Sequence, residues 1–261
     1  MQTAGQTIGT RINSLLAQCP PGVPMTSTWL ATQAVSPQLL QNYRASGWLN
    51  QVGRGAWIRA GTTPTLTGAI YALQKMQSLK IYPAARTALE LQGRTHYIPL
   101  GSVPSVQLSS EADTHLPEWF SQQAFAQHLR VLNSSILFDP IFASLTEHET
   151  NGVTIKVSTP ERAMLEYCQL LPKYADFEEA RQLMEGLTAL RSDLLQSTLQ
   201  ACRSVKAKRL FLALAEAVGH RWYTELNLDE IELGSGKRTL PITGGLHPRF
   251  EITVPDTWIV R

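Results

Sequence analysis

The first 89 residues contain no aspartate or glutamate; all 21 acids lie at or beyond Glu90. Random placement would clear such a stretch in about one or two chains in ten thousand, so the gap carries information. Within it stand Arg11, Arg44, Arg54, Arg59, Lys75, Lys80 and Arg86. The N-terminal third is therefore strongly basic and the remainder acidic, a split hidden in a total charge of +2. What is missing is the set of groups that would repel a polyanion.

Cysteine is scarce. Cys19, Cys168 and Cys202 are odd in number and far apart, which argues against a disulfide framework and against zinc held by paired cysteines. Long apolar runs are lacking too. No stretch is long enough to span a bilayer, and the N-terminus has helical spacing (Ile8, Ile12, Leu15, Leu16) instead of a solid signal-peptide core. The expectation is a cytoplasmic chain with no membrane contact. The six histidines form no HExxH pattern, and no GxSxG elbow occurs, so neither a metal, nor a cofactor, nor a nucleophile is expected.

What is present is 261 residues with 43% hydrophobic content, enough for two domains. Residues 6–18 read as a helix ended by Pro20, Pro21 and Gly22. A short helix capped by Thr26 or Ser27 follows. Ser36 then precedes Pro37, an N-cap followed by proline at the first helical position, and Gly47 stops that third helix. Two strand-like runs, 48–52 and 56–60, meet at Gly53, Arg54 and Gly55. Three helices and a hairpin in this order predict a winged helix-turn-helix over residues 1–61. Residues 62–261 read as a larger mixed α/β body, with a possible sub-boundary near 95 and an overall α+β class. Helices are expected over 68–79, 83–91, 119–132, 159–171, 177–190, 192–202 and 205–218. Short strands are expected over 96–108 and 153–157, and from 222 to the end.

On the third helix Leu39, Leu40 and Tyr43 share one sector, leaving Gln38, Gln41, Asn42 and Ala45 outward with Arg44 on the flank. Gln or Asn with adenine, and Arg with guanine, are the geometrically matched major-groove pairs. Ser36, Thr26 and Ser27 are candidates for backbone phosphate, Arg54 for the adjacent minor groove or phosphate, and Arg59 for the backbone. The acid-free stretch outlasts this domain, so Lys75, Lys80 and Arg86 are expected to continue the basic surface or to shield it from the acidic body.

The segment MTSTWLATQAVSPQLLQNYRASGWLNQVGRGAWIRAG from Met25 resembles the N-terminal winged helix of the AbiEi antitoxin family. The likeness continues through GAIYALQKMQSLKIYPAARTALELQGRTHYIPLG, STPERAMLEYCQLLP, LGSGKR and the late ITVP. The resemblance implies an antitoxin that represses its own operon; half-site geometry adds the expectation that it engages inverted repeats in that promoter with two copies cooperating, a homodimer on DNA being one arrangement that does so. The resemblance also implies that the C-terminal domain counters a nucleotidyltransferase-like toxin, with no stable complex assumed. It places the DNA role on residues 36–44 and on Arg54.

In the body, LGSGKRT invites comparison with a phosphate loop, but Ile231 stands where the first glycine belongs and Arg238 where Ser or Thr should bind magnesium. Arg203, Lys206, Lys208 and Arg209 form the densest basic cluster. Lys206, Lys208, Arg209, Lys237 and Arg238 are the candidates there for an antitoxin or nucleic-acid surface. Two other classes stay open: a nucleic-acid-processing enzyme using acids such as Asp139, Glu161 and Asp229, and a non-catalytic winged-helix adaptor.

Overall fold

The computed structural model describes residues 4–95, 105–111, 114–140 and 143–259, with side chains from Arg11 onward. The strands expected within 96–104 and the packing of Ile8 lie outside the described residues. The chain divides into two compact units, Met1–Ile81 with Asp113–Leu129 and Glu147–Lys156, and Tyr82–Ala112 with Arg130–Thr146 and Val157–Arg261.

The first unit opens with α1 (Ala4–Gln18), β1 (Met25–Thr26), α2 (Ser27–Thr32), α3 (Pro37–Ala45), β2 (Leu49–Gly53) and β3 (Ala56–Arg59). The strands form an antiparallel sheet in the order β1-β3-β2, with Met25 opposite Trp57 and Gln51 opposite Trp57 on its other side. Helix, strand, helix, helix, hairpin is the winged-helix topology. Local chemistry sets each boundary. Thr26 Oγ1 accepts from Trp29 N and caps α2, Ser36 Oγ accepts from Leu39 N and caps α3, and Pro37 fills the first helical position where no N–H is needed. Gly47, at φ +71°, turns the chain away after α3. The core is Ile12, Leu15, Cys19, Met25, Leu30, Val35, Leu40, Tyr43, Leu49 and Trp57. Then comes α4 (Leu66–Tyr71), whose last turn widens to a π-turn over Ala72–Met76.

The chain continues through β4 (Ile81–Pro83), α5 (Ala85–Leu91), β5 (Val106–Ser110), α6 (Glu118–Ser121), β6 (Leu129–Asn133) and α7 (Ser134–Leu137). The strands form a sheet in the order β4-β5-β6. The helix expected over 119–132 is thus broken into α6, a 3-10 turn at Ala124–Ala126 and a strand. Residues 129–133 take their backbone partner from β5, a tertiary choice that local propensity does not encode.

The hairpin of β7 (Leu145–Thr150) and β8 (Val153–Ser158) precedes four helices, α8 (Pro160–Leu170), α9 (Phe177–Gly186), α10 (Ser192–Ala201) and α11 (Val205–Val218). Thr159 and Pro160 start α8, Asp176 caps α9, Ser204 caps α11, and Gly219 in the left-handed region closes it. These helices bury Met164, Leu165, Tyr167, Cys168, Leu183, Met184, Leu195, Leu199, Phe211 and Leu214 in one core. The tail is less strand-like than its sequence suggests: three 3-10 turns (Arg221–Glu225, Leu228–Glu230, Asp256–Trp258) surround β9 (Gly245–Leu246) and β10 (Thr253–Val254).

Candidate nucleic-acid interface

Burial of Leu40 and Tyr43 fixes the rotation of α3, so Gln38, Gln41, Asn42, Arg44 and Ala45 all point into solvent. Among the described residues, no other group engages the side chains of Gln38, Gln41, Asn42 or Arg44, which leaves three amides and one guanidinium as unspent donors and acceptors. Tyr43 closes the rear of the helix, and burial raises its phenol above the ordinary range. Ser36 is exposed beside the first turn, although its oxygen is already occupied by Leu39 N. Arg54 stands exposed at the hairpin tip between Gly53 and Gly55, and Gly55 O is held by Ser27 N at 2.8 Å.

The structure removes several expected contacts. Thr26 is fully buried and spends its hydroxyl on the cap, 3.2 Å from Thr28 Oγ1, so it cannot meet a phosphate; exposed Thr28 occupies that position. Ser27 is half-buried and accepts from Trp57 Nε1 at 3.2 Å. Arg59 turns inward and donates to Leu16 O at 2.6 Å, which ties the end of β3 to α1 instead of facing a DNA backbone. Arg86 is buried and paired with Glu90 at 2.7 Å and Glu179 at 2.8 Å, so the basic surface does not extend through it. Lys75 and Lys80 are exposed.

The basic cluster of α11 is also reassigned. Lys208 and Arg209 are buried, at 4% and 2% exposure, and Lys206 Nζ donates to Gln169 O and Leu171 O. Burial lowers the Lys206 pKa. The Arg209 guanidinium donates to Leu233 O (2.9 Å), Gly234 O (3.0 Å), Gly236 O (2.6 Å) and Glu251 O (3.1 Å). The LGSGKR turn therefore aims carbonyls inward at a cation, the reverse of a phosphate loop, which aims amides at an anion. Lys237 and Arg238 stay exposed on its outer side.

Asp139 pairs with Arg203, and Glu161 is buried with Oε1 accepting from Arg191 N at 3.1 Å. Among the described residues, no group of three or more His, Cys, Asp or Glu is placed to hold a metal ion. Burial pushes the Cys19 thiol up to about 12 and Cys202 to about 11, and raises Cys168 as well; such thiols are poor nucleophiles. No described helix is long and apolar enough to cross a membrane. Missed in the sequence is the pairing of residues 118–123 with the hairpin, because its two halves lie far apart in the chain.

No curated protein matches the chain. Its fold is similar to that of the crystal structure of the RV2827C protein from Mycobacterium tuberculosis, with a TM-score of 0.61 and 15% identity over 94% of this chain and 90% of that one. Residues 9–100 match the family model described as "Transcriptional regulator, AbiEi antitoxin N-terminal domain". Residues 103–255 match the one described as "Transcriptional regulator, AbiEi antitoxin, Type IV TA system". The two matches together span nearly the whole chain, which therefore belongs to the AbiEi antitoxin family of transcriptional regulators from type IV toxin–antitoxin systems.

Proposed function

We propose that this antitoxin represses its own operon by reading inverted repeats in the promoter, two copies acting together on the DNA. The observation that carries the reading is the outer face of α3, where Gln38, Gln41, Asn42 and Arg44 are exposed and unengaged in a segment, residues 1–61, without a single acid. Bases are read by the three amides, while Ser36, Thr28, Arg54 and the flanking Arg44 hold the phosphates that set the register. On this reading residues 1–61 are the DNA-reading domain, and residues 62–261 counter a nucleotidyltransferase-like toxin in the cytoplasm by binding or competition instead of catalysis, with no stable complex required. Exposed Lys237 and Arg238 are the candidates left from the basic set for that second role.

The test is binding to a duplex from the region upstream of the gene, titrated against salt. Several phosphate contacts give a log–log slope of several units, and Arg54→Ala lowers it by about one. An affinity indifferent to salt removes the reading. For the second role, a toxic nucleotidyltransferase-like neighbour should lose its toxicity on co-expression with this chain. Toxicity that persists counts against it.

A further inference from the structure

The wing is held from outside the winged helix. Its outer strand, β2, is an edge of the β1-β3-β2 sheet, and an edge normally presents unpaired backbone. Here residues 118–123, more than sixty positions later in the same unit, cover it. Gln123 Nε2 donates to Val52 O at 3.2 Å and to Trp119 O at 2.6 Å, so one amide ties the clasp to the strand. Gly53 meets the Trp119 backbone directly: a Cβ on Gly53 would stand 2.7 Å from Trp119 Cβ and 2.8 Å from its Cα. Only glycine leaves room there, and its φ of +151° also favours glycine. Trp119 and Phe120 are buried, and Phe120 packs edge-on against Trp119 at 5.8 Å and Phe125 at 5.3 Å. The clasp thus carries a small aromatic cluster, and Trp119 brings that cluster against the wing.

We propose that residues 118–123 are a clamp that fixes the wing in its DNA-reading position, making Trp119 and Gln123 positioning residues for Arg54. The inference rests on the DNA-reading function proposed above. Arg54 follows Gly53 directly, so a clamp on Gly53 sets where the guanidinium reaches. Ser27 N on Gly55 O grips the other side of the tip. A hairpin ordered in advance loses less conformational entropy on binding. Glu118 on the clamp is exposed, so a phosphate backbone is disfavoured beside it.

The experiment combines hydrogen exchange of the free protein with a double-mutant cycle on the upstream duplex. Gln123→Ala removes the tie gently, and Gly53→Ala pushes Trp119 away. Either variant is expected to speed exchange of the β2–β3 amides by about tenfold or more while α8 and α11 keep their protection. In the wild-type background Arg54→Ala should weaken binding by about three- to tenfold, and in the Gln123→Ala background by less than about twofold. Unchanged exchange at β2–β3 in both variants overturns the clamp, as does an Arg54→Ala loss of equal size in both backgrounds. A wild-type protein that leaves the duplex unretarded overturns the DNA reading and the clamp's purpose, while the exchange arm still reports whether the grip exists.

Discussion

Arg162 Nε donates to Glu166 Oε1 at 2.8 Å, and neither side chain reaches solvent. Each ion is satisfied further: Arg162 donates to Ala143 O at 2.7 Å and Ser134 Oγ at 2.9 Å, and Glu166 Oε2 accepts from Ala85 N at 3.0 Å. The pair therefore ties α8 to the start of α5 and to α7. Breaking such a pair strands a buried charge at a cost of roughly 3–5 kcal/mol, whereas replacing both partners with apolar groups is far milder. In urea denaturation Arg162→Met and Glu166→Leu should each lower stability by about that much, and the double variant by less than either. Additive losses would show that the two charges are not coupled.

Arg209 serves the LGSGKR turn in a similar way, with four carbonyls converging on one guanidinium. Lysine keeps the charge but not the planar fork, so Arg209→Lys cannot hold all four. The turn should then loosen, and tryptic cleavage after exposed Lys237 or Arg238 should become faster in the native protein. A cleavage rate equal to that of the wild type would assign the turn's order to other contacts.

What the sequence discloses here is the chemistry that acts within a few residues. Ser36 with Pro37, Thr159 with Pro160, and Gly47 mark helix ends correctly, because capping and φ restrictions are local. The outward amides of α3 are legible for the same reason, since Leu40 and Tyr43 fix the wheel. Arg209 is not: its spacing suits a solvated face, but its partners arrive from residues 233–251. Strand β1 is two residues long and exists only because β3 pairs with it. Residues 119–132 read as a helix until Trp119 finds Gly53 and Leu129–Asn133 finds β5. Long-range partners decide these elements, and periodicity does not contain them.

His247 is 1% exposed, with Phe250 N donating to its Nδ1 at 3.3 Å. Glu216 Oε2 lies 3.3 Å from Nε2, but off the hydrogen-bond direction. Burial lowers the imidazole pKa below its ordinary 6.5; Glu216 opposes that shift and Arg249 adds to it. The unfolded chain thus binds the proton more readily than the folded one. The stability contribution is complete above pH 6.5 and is lost as pH falls from there through the folded-state value. His247→Gln should flatten this part of the stability profile, measured by urea unfolding at successive pH values. An unchanged slope would place the acid sensitivity elsewhere.

Gln41 and Asn42 differ from Arg44 in what their loss should do. An amide reading an adenine edge discriminates among bases, and each good bidentate pair supplies about 1–3 kcal/mol against the wrong base. A flanking guanidinium on phosphate strengthens binding to every sequence and adds about one unit to the salt slope. Gln41→Ala and Asn42→Ala are therefore expected to narrow the gap between the promoter duplex and a scrambled one while leaving the salt slope alone. Arg44→Ala should weaken both duplexes together and lower the slope. The side chains are surface-exposed, so neither change should cost more than about 0.5 kcal/mol of fold stability, and loss of binding reads as loss of contact. If the amide variants bind both duplexes as the wild type does, α3 lies in no major groove, and the exposed face belongs to another partner.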